Sequence, residues 1–239
     1  MLILINLSIF DHDMTIVDSS YAILNAINRV AEEVGNPPVT HETVMKFAAV
    51  PMRDFIEGIW GECRQSWLDL YREKVEPLEY EQIRPFPEVP RVLTKLREMG
   101  IFLAVASNRR NPRAAMDKSK TSRYFDMIVG PIDGLPHKPD PGMLDYLMER
   151  FGVSRSETIY VGDSDIDIQT GYAAGVRTVG ITRGNFTHAQ LEELGAWRVV
   201  DSMDDLLPII AEDRDPTDRD PTDRNRSHES ALAETKAGG

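Results

Sequence analysis

Short runs of apolar residues alternate with longer stretches in which apolar positions recur every three or four residues. The short runs predict strands at 2–10, 101–106, 127–129, 158–161, 176–181 and 198–200. The longer stretches predict helices at 88–99, 112–118, 141–151, 165–174, 188–194 and 203–211. Gly100, Gly152, Gly175 and Gly195 each fall just past a predicted helix, where the chain turns out through a left-handed residue. Strand and helix in alternation are the pattern of βαβ units and a mostly parallel sheet, an α/β protein.

One interval breaks the pattern. Asp11 ends the first strand and Ser107 follows the second, 96 positions later, whereas one βαβ unit takes about 30 residues. The excess, 18–84, is helical in period: Tyr21, Ile23, Leu24, Ile27, Val30 and Val34 share one face, as do Phe55, Ile59 and Trp60, then Trp67, Leu68 and Tyr71. An all-helical insertion leaving the carboxyl end of the first strand lies over the crevice where open α/β sheets bind ligands, so it is expected to act as a cap. The expected organisation is a core formed by 1–17 and 85–211, a helical cap at 18–84 and a tail at 212–239. The tail repeats Arg214-Asp-Pro-Thr-Asp218 as Arg219-Asp-Pro-Thr-Asp223 and has almost no large apolar side chain, so it is expected to be disordered.

Composition narrows the function. With 41% apolar residues among 239, the chain can bury a real core. Thirty-nine acidic against 27 basic residues give a net charge of −12, which argues against a nucleic-acid binder or an anionic-membrane binder. A single cysteine, Cys63, leaves no intramolecular disulfide or multi-cysteine metal site, as expected of a reducing compartment. The apolar opening is ten residues long, lacks a basic lead-in and runs into Asp11. It is therefore expected to be a buried strand of a cytoplasmic protein rather than a signal peptide or membrane span.

Four polar clusters fall where predicted strands give way to loops: Asp11-His-Asp-Met-Thr15, Ser107-Asn108, Lys138-Pro-Asp-Pro141 and Gly162-Asp-Ser-Asp-Ile-Asp167. Each alone is an ordinary helix cap or turn. Together they suggest a site. Asp11 and Asp13 can point to one side of an extended segment, and Asp163 and Asp167 can share a face across a helix start. Four carboxylates converging on one crevice repel each other unless a cation sits among them, and an all-oxygen set suits Mg²⁺. Lys138 adds a fixed positive charge, while Ser107 and Asn108 add neutral donors. That is the equipment of phosphoryl transfer, whose catalysis is mostly positioning and charge neutralisation.

In this order the clusters resemble the four motifs of the haloacid dehalogenase-like hydrolase superfamily, over about residues 2–211. The resemblance implies a Rossmann-like parallel sheet with a helical cap inserted after the first strand. It also implies a Mg²⁺-dependent phosphatase acting on a small phosphorylated metabolite: phosphoglycolate-like, a sugar phosphate or a nucleotide. By that resemblance Asp11 is the nucleophile and a metal ligand, while Asp13 is the acid and base and binds the metal through its carbonyl. Asp163 is a metal ligand, and Asp167 either a ligand or its support. Ser107 binds a phosphoryl oxygen, and Lys138 holds nucleophile and phosphoryl group together. Thr15, Asn108 and the cap residue Arg53 are candidate substrate contacts. Asp13 disfavours dehalogenation, whereas a sugar-phosphate mutase, a phosphoacceptor module and a non-catalytic binding protein are the alternatives. Met14 departs from the family, which usually has Gly there; if the position needs positive φ, Met carries strain of about 1 kcal/mol or more. His12 is expected to pack or touch the cap rather than do acid–base work.

Overall fold

The computed structural model of the chain describes residues 4–47 and 49–212. Apart from Glu212, the tail expected to be disordered lies outside the described residues.

The elements run in the order β1 (Leu7–Phe10), β2 (Val17–Asp18), α1 (Ser20–Val34), α2 (His41–Phe47), α3 (Met52–Trp60), α4 (Gln65–Leu70), a π-helical turn (Tyr71–Val75), α5 (Glu76–Tyr80), β3 (Arg84–Pro85), α6 (Val89–Glu98), β4 (Phe102–Ala106), α7 (Pro112–Lys118), β5 (Met127–Val129), α8 (Gly142–Phe151), β6 (Thr158–Gly162), α9 (Asp165–Ala174), β7 (Arg177–Ile181), α10 (His188–Glu193), β8 (Arg198–Val200) and α11 (Leu206–Glu212). The main sheet has the order β5-β4-β1-β6-β7-β8, every pair parallel. From β1 the chain returns on one side as β4 and β5, then crosses to the other side for β6, β7 and β8. That reversal beside β1 is the switch point at which such sheets open a ligand crevice.

Both faces of the sheet are covered, so its strands are apolar throughout rather than alternating. Phe10, Leu103 and Val161 pack on one face with Val92 and Leu96 of α6 and Met116 of α7. Leu7, Ile9, Ala104 and Tyr160 pack on the other with Met143, Leu144 and Leu147 of α8. The first strand begins at Leu7 rather than at residue 2, although Asn6 still bridges its neighbours, donating to Glu157 O and accepting from Phe102 N (both 2.9 Å). The last helix begins at Leu206 after a 3₁₀ turn at Met203–Asp205. This start places Pro208 in the first turn, the part of a helix that does not need its missing N–H.

The insertion is helical, as its periodicity predicts, and has its own core of Ile23, Ile27, Val44, Phe55, Ile56, Trp67 and Leu68. It is entered and left through a feature that two residues per strand could not announce in sequence. Val17 pairs with Pro85 and Asp18 with Arg84 in an antiparallel ribbon that ties the two crossings together. Among the described residues, no helix is long and apolar enough to cross a membrane.

Candidate active site

Asp11, Ser107 and Asp163 are each the first residue beyond a strand, β1, β4 and β6, which are adjacent in the sheet. The parallel register therefore delivers three polar side chains to one edge. The loop before α8 brings Lys138 to the same place. Its Nζ donates to Asp11 Oδ1 (2.6 Å), Asp167 Oδ1 (2.7 Å) and the Tyr160 hydroxyl (2.9 Å), so all three ammonium protons are used. The side chains of Lys138, Asp11 and Asp167 are almost wholly buried.

Asp167 sits at the third position of α9, where it closes a capping box with Ser164. Its Oδ2 accepts from the Ser164 hydroxyl (2.6 Å), Ser164 N (3.1 Å) and Asp163 N (3.2 Å), while Tyr160 adds a second donor to Oδ1 (2.6 Å). With both oxygens so heavily used, Asp167 holds Lys138 and the β6–α9 turn in place and has little capacity left for a metal. Gly162 is required there, because a Cβ would lie 2.3 Å from the Asp167 carboxyl carbon.

Oxygens of Asp11, Asp163 and Asp167 all lie within 4.8 Å of one another. This buried, all-oxygen set suits a hard divalent cation. The Asp163 carboxylate rests against the backbone of Gly184, where a Cβ would come within 1.9 Å of Oδ2, and accepts from the Thr15 hydroxyl at 3.3 Å. Burial, then Asp167 and Asp11, push the Asp163 carboxyl well above the usual range. Burial likewise lifts Asp11 to about 7, against the pull of Lys138 and with help from Asp167 and Asp13. Two carboxyls raised by burial and like charge are what a cation would relieve, so the donor set fits Mg²⁺ with Asp11 and Asp163 as side-chain ligands.

Asp13 is turned elsewhere. Arg109, two residues past Ser107, grips it with Nε to Oδ2 (3.1 Å) and Nη2 to Oδ1 (2.7 Å). Burial opposes ionisation of Asp13, but Arg109 and then His12 outweigh it and hold the carboxyl well below its usual range. Through Nη1 the same guanidinium donates to Glu79 Oε1 (2.6 Å), and the Tyr71 hydroxyl donates to Glu79 Oε2 (2.6 Å). A buried polar chain thus runs from the candidate acid into the insertion. Arg109 and Glu79 are the residues that sequence reading missed. Arg109 had a detectable signal, a cation in the loop that follows a strand-end serine; Glu79 had none, since Glu76-Pro-Leu-Glu-Tyr80 reads as a solvated helix.

The other expected residues fall as follows. Ser107 lines the crevice, its Oγ accepting from Arg109 N (3.1 Å), so the hydroxyl proton remains available. Asn108 also lines it, but its amide accepts from Lys138 N (2.7 Å) and donates to Lys138 O (3.1 Å) and Ala49 O (3.2 Å). It clamps the lysine loop to the insertion. Thr15 is fully buried on Asp163 and does not line the crevice, unlike the substrate contact expected of it. Arg53 does line it, with Nη2 donating to Gln65 Oε1 (2.9 Å) and Nη1 to Cys63 O (3.4 Å). His12 is fully buried with Nδ1 3.4 Å from Asp13 Oδ2, and neither ring nitrogen has a hydrogen-bond partner among the described residues. Met14 adopts φ 55°, the left-handed turn that a glycine would take without strain, and its side chain is buried rather than crowding the crevice mouth.

Asp11, Asp13, Ser107, Asn108, Arg109 and Lys138 line a cavity of about 330 Å³ between the sheet edge and the insertion. A parallel α/β sheet bearing such a carboxylate and lysine cluster at its switch point defines a class, and comparison with known proteins agrees. The profile of the haloacid dehalogenase-like hydrolases matches residues 8–181, and the chain belongs to that family. A phosphoglycolate phosphatase of Pseudomonas putida is 29% identical, with 96% of this chain and 88% of the relative covered. Phosphoglycolate phosphatase 1 of Pseudomonas aeruginosa is 30% identical over 84% of this chain and 78% of its own. Among solved structures, one described as a predicted phosphatase from Clostridium acetobutylicum superposes with a TM-score of 0.78 at 23% identity, covering 87% of this chain and 99% of that one; it bears on the fold alone.

Proposed function

We propose that the protein is a Mg²⁺-dependent phosphomonoesterase that hydrolyses a small phosphorylated metabolite, of the kind represented by 2-phosphoglycolate, through a phosphoryl group carried by Asp11. The observation that carries this reading is the buried Lys138 bridge between Asp11 and Asp167 beside Asp163, which unites nucleophile, counter-charge and cation ligands in one cluster.

Asp11 attacks phosphorus with a carboxylate oxygen, needing no base because the attacking form is the ionised one. The phosphorus–ester oxygen bond breaks, and Asp13 gives the departing oxygen its proton. Asp13, now ionised, takes a proton from the water that attacks the acyl phosphate, and inorganic phosphate leaves with Asp11 restored. Arg109 favours the ionised form that the second half needs; the first half requires one of its two contacts with Asp13 to give way. Ser107 donates to a phosphoryl oxygen, and Lys138 offsets the repulsion between that group and Asp11. Mg²⁺ held by Asp11 and Asp163 would supply the remaining positive charge for the phosphoryl oxygens. The insertion closes the cavity and limits access of water.

The test is phosphate release from a panel of small monoesters by the folded protein with Mg²⁺, beside Asp11→Asn. Release that disappears with EDTA and in the variant, at unchanged far-ultraviolet circular dichroism, is expected. No release from any member by folded wild-type protein overturns the reading.

A further inference from the structure

Five basic side chains line the cavity, Lys138, Arg109, Arg110, Arg53 and Arg72, beside the carboxylates of Asp11, Asp13, Asp54 and Glu76, and four of the five basic groups are committed. Lys138 is held by Asp11, Asp167 and Tyr160. Arg109 is held by Asp13 and Glu79, Arg110 by Glu76 Oε2 (3.2 Å), and Arg53 by Gln65 and Cys63 O. Arg72 differs. It lines the same cavity, is exposed, and makes no hydrogen bond or ion pair among the described residues.

Its position has a local cause. Pro77 lacks the N–H that would bond back to Glu73, and its ring would clash with that carbonyl. The turn before it widens into the π-helical form, with Glu76 N donating to Tyr71 O. Such single π turns recur at functional sites, because they rotate neighbouring side chains out of α-helical register. Arg72 and Glu76 are four apart, the spacing of a helical ion pair. Here no such pair forms: Glu76 turns to Arg110, and Arg72 faces the cavity without an ion-pair partner among the described residues.

We propose that Arg72 is a specificity-determining residue that binds a second anionic group, such as a carboxylate, on the substrate whose phosphoryl group lies at Asp11. This rests on the phosphomonoesterase reading, with 2-phosphoglycolate as its representative substrate, and adds to it the residue that reads the negative charge at the end remote from phosphorus. The free guanidinium offers paired donors to such a group. A neutral-tailed monoester of equal size would gain nothing from it.

Calorimetric titration of the Asp11→Asn protein in Mg²⁺ tests this without turnover, using 2-phosphoglycolate and ethyl phosphate, which share a two-carbon tail. The carboxylate-bearing ester is expected to bind about tenfold more tightly. In Asp11→Asn/Arg72→Gln that preference is expected to collapse, with the fold intact because Arg72 supports no other side chain among the described residues. A preference that survives Arg72→Gln, or none to begin with, overturns the assignment. A preference that depends on Arg72 in a protein whose wild type releases no phosphate would instead sustain Arg72 and overturn the phosphatase reading.

Discussion

Met14 shows how a single side chain can be out of keeping with its backbone and still be held. A non-glycine residue at φ 55° costs on the order of 1–2 kcal/mol. The Met14 side chain is buried, and burying a methionine returns about as much or more. Removing the side chain while keeping Cβ therefore gives the worst of both. Met14→Ala is expected to be less stable than Met14→Gly by about 1 kcal/mol in urea denaturation, with only glycine free of the left-handed penalty. Equal stabilities would show that the turn relaxes away from positive φ in solution. The sequence allowed the question to be asked, since Met stands where the family usually has Gly; the sign of φ had to come from three dimensions.

Helices and strands were largely readable in advance because their apolar periods are long enough to measure, and the strand ends carried Asp11, Ser107 and Asp163 to one sheet edge. What escaped was the pairing between elements distant in sequence. Glu79 sits on a short, charge-rich helix whose pattern says surface, yet it is fully buried because Arg109 arrives from the β4–α7 loop. The two-residue ribbon of β2 and β3 and the π turn before Pro77 likewise fall below the length at which a period exists. Among the described residues, the Arg109 junction is the shortest ion-pair link between core and insertion: one guanidinium serves two buried carboxylates. Arg109→Ala would leave Asp13 and Glu79 in the interior without their counter-charge, a change that typically costs about 3–5 kcal/mol. The same denaturation experiment measures it; a loss below about 1 kcal/mol would mean that the junction is solvated in solution.

For the molecule as a whole, the proposed cation binding is coupled to acidity. Asp11 keeps its proton in the folded protein up to about pH 7, whereas an unfolded Asp loses it near 3.8. Between those values the folded state binds more protons, so this group makes the metal-free protein less stable as pH rises from about 4 to 7. Asp163 is shifted in the same direction. Asp13 and Asp167, held low by Arg109 and Lys138 against the effect of burial, act oppositely: their stabilisation is present above the unfolded value and lost as pH falls through their folded ones. A cation that binds only the ionised carboxylates should therefore raise the melting temperature more at pH 8 than at pH 5.5. Thermal melts with and without Mg²⁺ at the two pH values check this, and an equal rise at both would place the cation away from Asp11 and Asp163. The net negative charge of the whole chain does not decide access to the cavity: Lys138, Arg109, Arg110, Arg53 and Arg72 line it beside Asp11, Asp13, Asp54 and Glu76, and a cation held by Asp11 and Asp163 would tip that balance toward a phosphate substrate.

The proposed chemistry turns on a covalent bond between phosphorus and Asp11. Acid quench of the protein during turnover of 2-phosphoglycolate with Mg²⁺, followed by peptide mass spectrometry, reads that bond directly. A phosphoryl adduct on the peptide containing Asp11, absent in Asp11→Asn and without Mg²⁺, is the predicted result. Phosphate release that persists in Asp11→Asn, or an adduct on another residue, would contradict it.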